Sequence, residues 1–102
     1  MPSIFHVTTA DQWDAAVAAG EYRQSTLDRT LDEEGFIHCS TAEQVAGTLL
    51  RFYQGLDDLV RLEIDPDLVG AEVRYEGDPE AFPHIYGPLP VDAVVSVEPV
   101  SA

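Results

Sequence analysis

The hydrophobic and polar positions along the chain predict helices in its first half and strands in its second half. Residues 4–7 form a short apolar run that is typical of a strand, and the segment that follows it repeats apolar positions at helical spacing. Trp13, Ala16 and Val17 form the apolar stripe of this helix. Thr8 or Thr9 is its predicted N-cap, and Gly20 is its predicted C-terminal stop.

The same order recurs after a polar segment, residues 21–34, which predicts a surface loop. Residues 36–39 predict a second strand, and a second helix follows it. Ser40 and Glu43 form a predicted capping box at the start of this helix. Val45, Leu49 and Phe52 form its apolar face, and Gly55 ends it.

Strands dominate the rest of the chain. Residues 59–64 and 71–76 alternate apolar and polar positions, with Val73 and Tyr75 on one side of the second segment, and residues 93–97 predict a last strand. Asp65-Pro66-Asp67 has the composition of a turn, and the proline-rich run 82–90 predicts an ordered loop with a short strand. Two helices early in the chain and about five or six strands, most of them late, indicate the α+β class rather than a parallel doubly wound sheet. The length indicates a single domain over residues 1–102.

Two segments, IFHVTTADQW and GFIHCSTAEQ, place a histidine at the same point of a strand-to-helix corner. His6 matches His38, and the hydroxyl of Thr8 matches that of Ser40. Because side chains alternate across a strand, we expect the apolar positions beside the histidines to be buried and both imidazoles to face one cleft. The predicted core positions are Phe5, Val7, Ile37 and Cys39. A helix N-terminus beside each imidazole would lower its pKa and keep the ring neutral.

Other interpretations of these residues remain open from the sequence. Hydroxyls at helix starts commonly serve only as caps, and a histidine in a strand is often a packed residue with satisfied hydrogen bonds. Cys39 is adjacent to His38, so strand geometry turns the two side chains to opposite faces and disfavours a nucleophilic pair. No ligand spacing supports a zinc site of His6, His38 and His84, and no metal is expected.

A third group of candidate site residues lies in the segment PHIYGPL. His84 and Tyr86 would share one face of an extended segment, and Glu76, which ends VRYE, is the nearest carboxylate before it. Polar and aromatic side chains that line a concave surface are usual in small-molecule sites. The alternative is that Glu76 lies at a solvated strand end.

The charge balance narrows the class of partner. Nineteen acidic residues face five basic ones, all arginine, and the net charge of −14 opposes binding to nucleic acid or anionic membranes. One cysteine excludes an internal disulfide, and no apolar run is long enough for a membrane span, so we expect a cytoplasmic protein. The charge can equally serve solubility, and the sequence predicts no oligomeric state.

Together, HVTT, GFIHCST, VRYE and FPHIYGPL resemble the bacterial and plant family called domain of unknown function 952, over nearly the whole chain. The resemblance implies the fold of ADP-ribosyltransferases, in which two early helices pack on a split, mostly antiparallel sheet with an NAD-binding cleft between its halves. It also implies that NAD, ADP-ribose or a related nucleotide binds here, with possible cleavage at the nicotinamide–ribose bond. A non-catalytic metabolite-binding or interaction module is the alternative.

The resemblance assigns roles to individual residues of the cleft. His6 with Thr8 and His38 with Ser40 would hold the ribose and nicotinamide, and Glu76 would stabilise the positive charge that develops as nicotinamide leaves. His84 and Tyr86 would lie beside them. Arg23 or Arg74 would meet the pyrophosphate, because a strongly acidic chain needs a local cation to hold it.

Overall fold

In the computed structural model, which describes residues 2–101, three α-helices and ten β-strands alternate along the chain. The helices are α1 (Ala10–Ala19), α2 (Leu31–Glu34) and α3 (Val45–Phe52). The strands are β1 (Ile4–Thr9), β2 (Glu21–Tyr22), β3 (Gln24–Thr26), β4 (Arg29–Thr30), β5 (Ile37–His38), β6 (Leu59–Ile64), β7 (Val73–Glu76), β8 (Phe82–Ile85), β9 (Leu89–Pro90) and β10 (Val94–Val100). The predicted α+β class and mostly antiparallel pairing are confirmed.

Two three-stranded antiparallel sheets form the frame of the domain. One has the order β1-β6-β10 and the other has the order β5-β8-β7. Among residues 2–101, one bridge between Phe5 and Ser40 joins them, and each backbone N–H donates to the other residue's carbonyl at 2.7 Å. The chain therefore forms one split sheet that is connected at a single point beside β1 and β5.

The core lies on both faces of β1. Ile4 packs into a cluster with residues of β5, β6 and β8, whereas Phe5 and Val7 pack into a second cluster against α3. The four predicted core positions, Phe5, Val7, Ile37 and Cys39, are all buried, so this prediction is confirmed. Because both faces of β1 are covered, His6 and Thr8 are buried as well, which strand periodicity did not predict.

The first helix follows its sequence signals except in its apolar stripe. Thr9 is the N-cap and accepts a hydrogen bond from the Gln12 N–H at 3.1 Å. Gly20 ends the helix with φ of +91°, a conformation that glycine adopts without strain. Ala16 is buried, but Val17 is exposed, so its predicted place in the stripe is wrong.

The predicted start of the second helix is wrong, because the bridge to Phe5 keeps Ser40 in extended backbone. α3 begins at Val45 after Gln44, whose side chain does not cap the helix and instead accepts from the Thr41 N–H at 2.9 Å. The helix ends before Tyr53, ahead of Gly55. Phe52 is exposed, and Tyr53 takes the buried position that was predicted for it.

Two further segments differ from the sequence predictions. The predicted loop at residues 21–34 contains β2, β3, β4 and α2, and Tyr22 pairs with Leu89 far along the chain. Thr30 and Glu33 form the capping box of α2. On β7, Val73 is half-buried, but Tyr75 is exposed.

Candidate functional site

His6 is held inside the protein by hydrogen bonds to both ring nitrogens. Nδ1 lies 2.5 Å from the carbonyl oxygen of His38, and Nε2 lies 2.7 Å from the hydroxyl of Tyr22. A carbonyl oxygen only accepts, so Nδ1 carries the proton and Nε2 accepts from the Tyr22 hydroxyl. The ring is therefore neutral in this arrangement.

The environment of His6 opposes its protonation. Burial lowers the pKa of His6 from its usual 6.5 to about 4, against the opposite influence of the His38 carbonyl. Burial also raises the pKa of Tyr22, which keeps its hydroxyl protonated as a donor. Since neither ring nitrogen of His6 is free, the ring does not offer a hydrogen bond to a ligand in this conformation. Its contact instead fixes the backbone of His38.

Thr8 belongs to the same internal network. Its hydroxyl donates to Gln12 Oε1 at 2.7 Å, and Gln12 Nε2 donates to the carbonyl oxygen of Leu27 at 3.1 Å. Thr8 is fully buried. The Thr8 side chain also hydrogen-bonds with that of Tyr22. The network therefore runs from the start of α1 to the backbone of Leu27 and, through Tyr22 and His6, to the backbone of His38.

His38 and His84 are half-exposed and lie side by side on the outer face of the second sheet. They are directly paired across β5 and β8, and their ring centroids are 5.2 Å apart. The ring of Phe36 lies 4.8 Å from each of them in edge-to-face contact. His84 Nδ1 lies 2.7 Å from the Phe82 carbonyl oxygen, so Nδ1 donates this hydrogen bond and Nε2 is left for another partner.

The electrostatics of His38 favour its neutral form. Partial burial is the main cause that lowers the pKa of His38, and the neighbouring His84 lowers it further. Glu34 acts in the opposite sense, with Oε1 3.9 Å from His38 Nε2. Near neutral pH this ring can therefore donate and accept hydrogen bonds at the same time.

Glu76 lies at the end of β7 on the same face. The hydroxyl of Tyr86 donates to Glu76 Oε1, and this contact raises the pKa of Tyr86. The guanidinium of Arg74 lies 4.7 Å from the centroid of the Tyr86 ring and is paired with Glu72 at 2.8 Å. Arg74 thus packs against the ring of Tyr86, and the Tyr86 hydroxyl orients the carboxylate of Glu76.

A cleft of about 640 Å³ lies beside the Phe5–Ser40 bridge and is bordered by residues of β1 and β5. α3 forms one wall, and the turn between β7 and β8 forms another. The predicted site residues that border this cleft are His6, His38, Ser40, Glu76 and His84. Its size is within the range of small-molecule sites, roughly 300–1,000 Å³.

The structure does not bring the other four predicted site residues to this cleft. Thr8 is inside the protein, and Tyr86 and Arg74 lie next to Glu76 without bordering the cavity. Arg23 is paired with Glu21 at 2.9 Å and Asp32 at 2.7 Å and borders a separate shallow groove beside α1.

Three residues that the sequence analysis did not select contribute to the site or its support. Tyr22 holds His6, Phe36 packs against both exposed imidazoles, and Arg51 of α3 borders the cleft. Strand alternation places Phe36 on the face of His38, which was a usable signal. Nothing in the sequence distinguishes Tyr22 or Arg51.

Cys39 and the metal-ligating residues add no chemistry to this arrangement. Cys39 is buried, and its burial raises the pKa of the thiol, so it stays protonated and unreactive. Within residues 2–101, no group of three or more His, Cys, Asp or Glu side chains is placed to hold a metal ion. No helix in that range is long and apolar enough to cross a membrane.

Residues 7–97 match the family described as "Protein of unknown function (DUF952)". The crystal structure of protein CC0527 from Caulobacter crescentus is 31% identical to this chain, with a TM-score of 0.83 over 95% of this chain and 84% of that one. Its solution NMR structure is also 31% identical, with a TM-score of 0.80 over 99% of this chain and 86% of that one. No match was found among curated proteins.

Proposed function

We propose that this chain, which belongs to the DUF952 family, binds NAD, ADP-ribose or a related nucleotide in the cleft between its two sheets. The observation that carries the proposal is that His38, His84 and Glu76 border one cleft of about 640 Å³. These groups supply hydrogen-bond donors and acceptors beside an aromatic surface, which suits a ligand made of flat rings and ribose hydroxyls.

The proposal includes an ADP-ribosyltransferase-like fold. It is supported by two antiparallel sheets that meet at the Phe5–Ser40 bridge and by the cleft that opens beside this bridge. In this arrangement the ring of His6 holds the backbone of His38 through the His38 carbonyl, and the side chain of His38 borders the cleft. Ribose hydroxyls would then contact His38 and His84, with a base or nicotinamide ring against the imidazoles.

Cleavage of the nicotinamide–ribose bond is a second candidate function, and the position of Glu76 favours it. When that bond breaks, its electron pair leaves with nicotinamide and positive charge develops on the anomeric carbon. A carboxylate that borders the cleft and is oriented by Tyr86 can stabilise this charge, after which water or an acceptor hydroxyl attacks the carbon.

Calorimetric titration with NAD and ADP-ribose tests the proposed binding. We expect saturable binding to the wild-type protein and an affinity about 10-fold lower for His84→Ala, which removes one ring and its hydrogen bonds. Tyr75→Ala is the matched control, because this exposed aromatic residue lies on the neighbouring strand with its side chain on the other face. Absence of binding at millimolar ligand would overturn the proposal.

Release of free nicotinamide from NAD, followed by chromatography, tests the second candidate function. If the protein is an enzyme, the wild type releases nicotinamide, and Glu76→Gln slows release at least about 100-fold while retaining NAD binding. Binding without release identifies a non-catalytic metabolite-binding module.

A further inference from the structure

Arg51 has an unusual position among the five arginines of this acidic chain. The other four arginines are each paired with a carboxylate: Arg23, Arg29, Arg61 and Arg74. Within residues 2–101, Arg51 makes no ion pair, and its guanidinium lies 5.9 Å from the centroid of the Phe52 ring. It is exposed, and it borders the cleft. A cation that has no carboxylate partner among the described residues is therefore present at the proposed binding site.

Two hydroxyls border the cleft on the same side. Ser40 Oγ and Thr48 Oγ1 are 3.0 Å apart, and both residues line the cavity. One hydrogen bond between two hydroxyls uses one of their two protons, so the pair keeps one O–H donor for another acceptor. Thr48 and Arg51 are three residues apart on α3, which places them on one face of the helix.

The charges around the cleft limit how much negative charge it can accept. Four carboxylates border the cleft, namely those of Asp28, Glu76, Asp78 and Glu80. Within the described chain, Arg51 is the one arginine among the lining residues. A ligand with several exposed phosphates would be repelled by these carboxylates. One phosphate group placed against α3 would be accommodated.

We infer that Arg51, together with the Ser40–Thr48 hydroxyl pair, forms a subsite for one phosphate group of the ligand. The planar guanidinium donates two parallel hydrogen bonds to phosphate oxygens, and the remaining hydroxyl proton donates a third. This inference rests on the proposed nucleotide binding and adds the direction in which the ligand lies in the cleft. The phosphate lies towards α3, and the ribose and base lie towards His38 and His84.

Inorganic phosphate tests the subsite independently of any nucleotide. At constant ionic strength, phosphate is expected to shift the backbone amide signals of Ser40, Thr48 and Arg51 in NMR spectra of the wild-type protein. Arg51→Gln should abolish these shifts, whereas Arg29→Gln should leave them intact, because Arg29 is paired with Glu34 and does not line the cleft. Unchanged amide signals in the wild type, or equal shifts in Arg51→Gln, would overturn the subsite.

Nucleotide titration separates failure of the subsite from failure of the proposed function. If ADP-ribose binds, Arg51→Gln should weaken it at least about 10-fold and leave adenosine, which has no phosphate, unaffected. Equal loss for ADP-ribose and adenosine, or no loss for either, would contradict the subsite while the proposed function stands. If phosphate shifts the three amides but no nucleotide binds, the subsite stands and the proposed function fails.

Discussion

Replacing His6 with alanine is expected to lower the free energy of unfolding by about 3 kcal/mol or more, whereas the same change at His38 costs about 1 kcal/mol or less. Alanine at position 6 removes the donor to the His38 carbonyl and the acceptor of the Tyr22 hydroxyl, at a position where the imidazole is buried. For a chain of this length, a loss of 3 kcal/mol corresponds to a melting temperature lower by roughly 12–24 °C.

Urea unfolding of His6→Ala, His38→Ala and His6→Asn measures this difference in the free energy of unfolding. His6→Asn should lie between His6→Ala and the wild type, because its amide N–H can still donate to the His38 carbonyl while the Tyr22 hydroxyl loses its acceptor. Comparable destabilisation by His6→Ala and His38→Ala would show that the two histidines play the same part, contrary to the structure.

The second large effect is a loss of stability in mild acid. In the unfolded chain the pKa of His6 returns to its usual 6.5, whereas in the folded chain it is about 4. Between these two values the unfolded state binds a proton that the folded state does not, so acidification favours unfolding. The stabilisation is fully present above pH 6.5, decreases as the pH falls towards 4, and has then decreased by about 3 kcal/mol.

Comparison of pH profiles isolates the contribution of His6 from those of other groups. Partial burial also lowers the pKa of His38, so part of the slope persists without His6. Falling pH also reduces the repulsion among the many carboxylates, which acts in the opposite direction. Unfolding free energies at pH 7, 6, 5 and 4 should therefore fall more steeply for the wild type than for His6→Asn. Parallel profiles would contradict a buried, neutral His6.

The two histidine segments show what the sequence could and could not predict. Their shared pattern correctly indicated two strands, with Phe5, Val7, Ile37 and Cys39 in the core. It did not predict that His6 would be buried while His38 stays half-exposed. That difference arises because β1 is covered on both faces, whereas β5 presents one face outward.

Long-range contacts account for the predictions that were wrong. Ser40 has a capping-box pattern, but the bridge to Phe5 keeps it extended and delays the start of α3. Residues 21–34 have a polar composition, yet Tyr22 pairs with Leu89, which no local signal in either segment indicates. Arg51 could not be distinguished from the other arginines, because the absence of a carboxylate partner depends on the folded arrangement.

Mapping of ADP-ribose by NMR chemical-shift changes tests the central claim most directly, namely that the cleft between the two sheets is a nucleotide site. The account predicts saturable changes that cluster at His38, His84, Glu76 and Arg51, with little change beside Arg23, which lies outside the cleft. No saturable change at millimolar ADP-ribose, or changes centred away from these four residues, would contradict it.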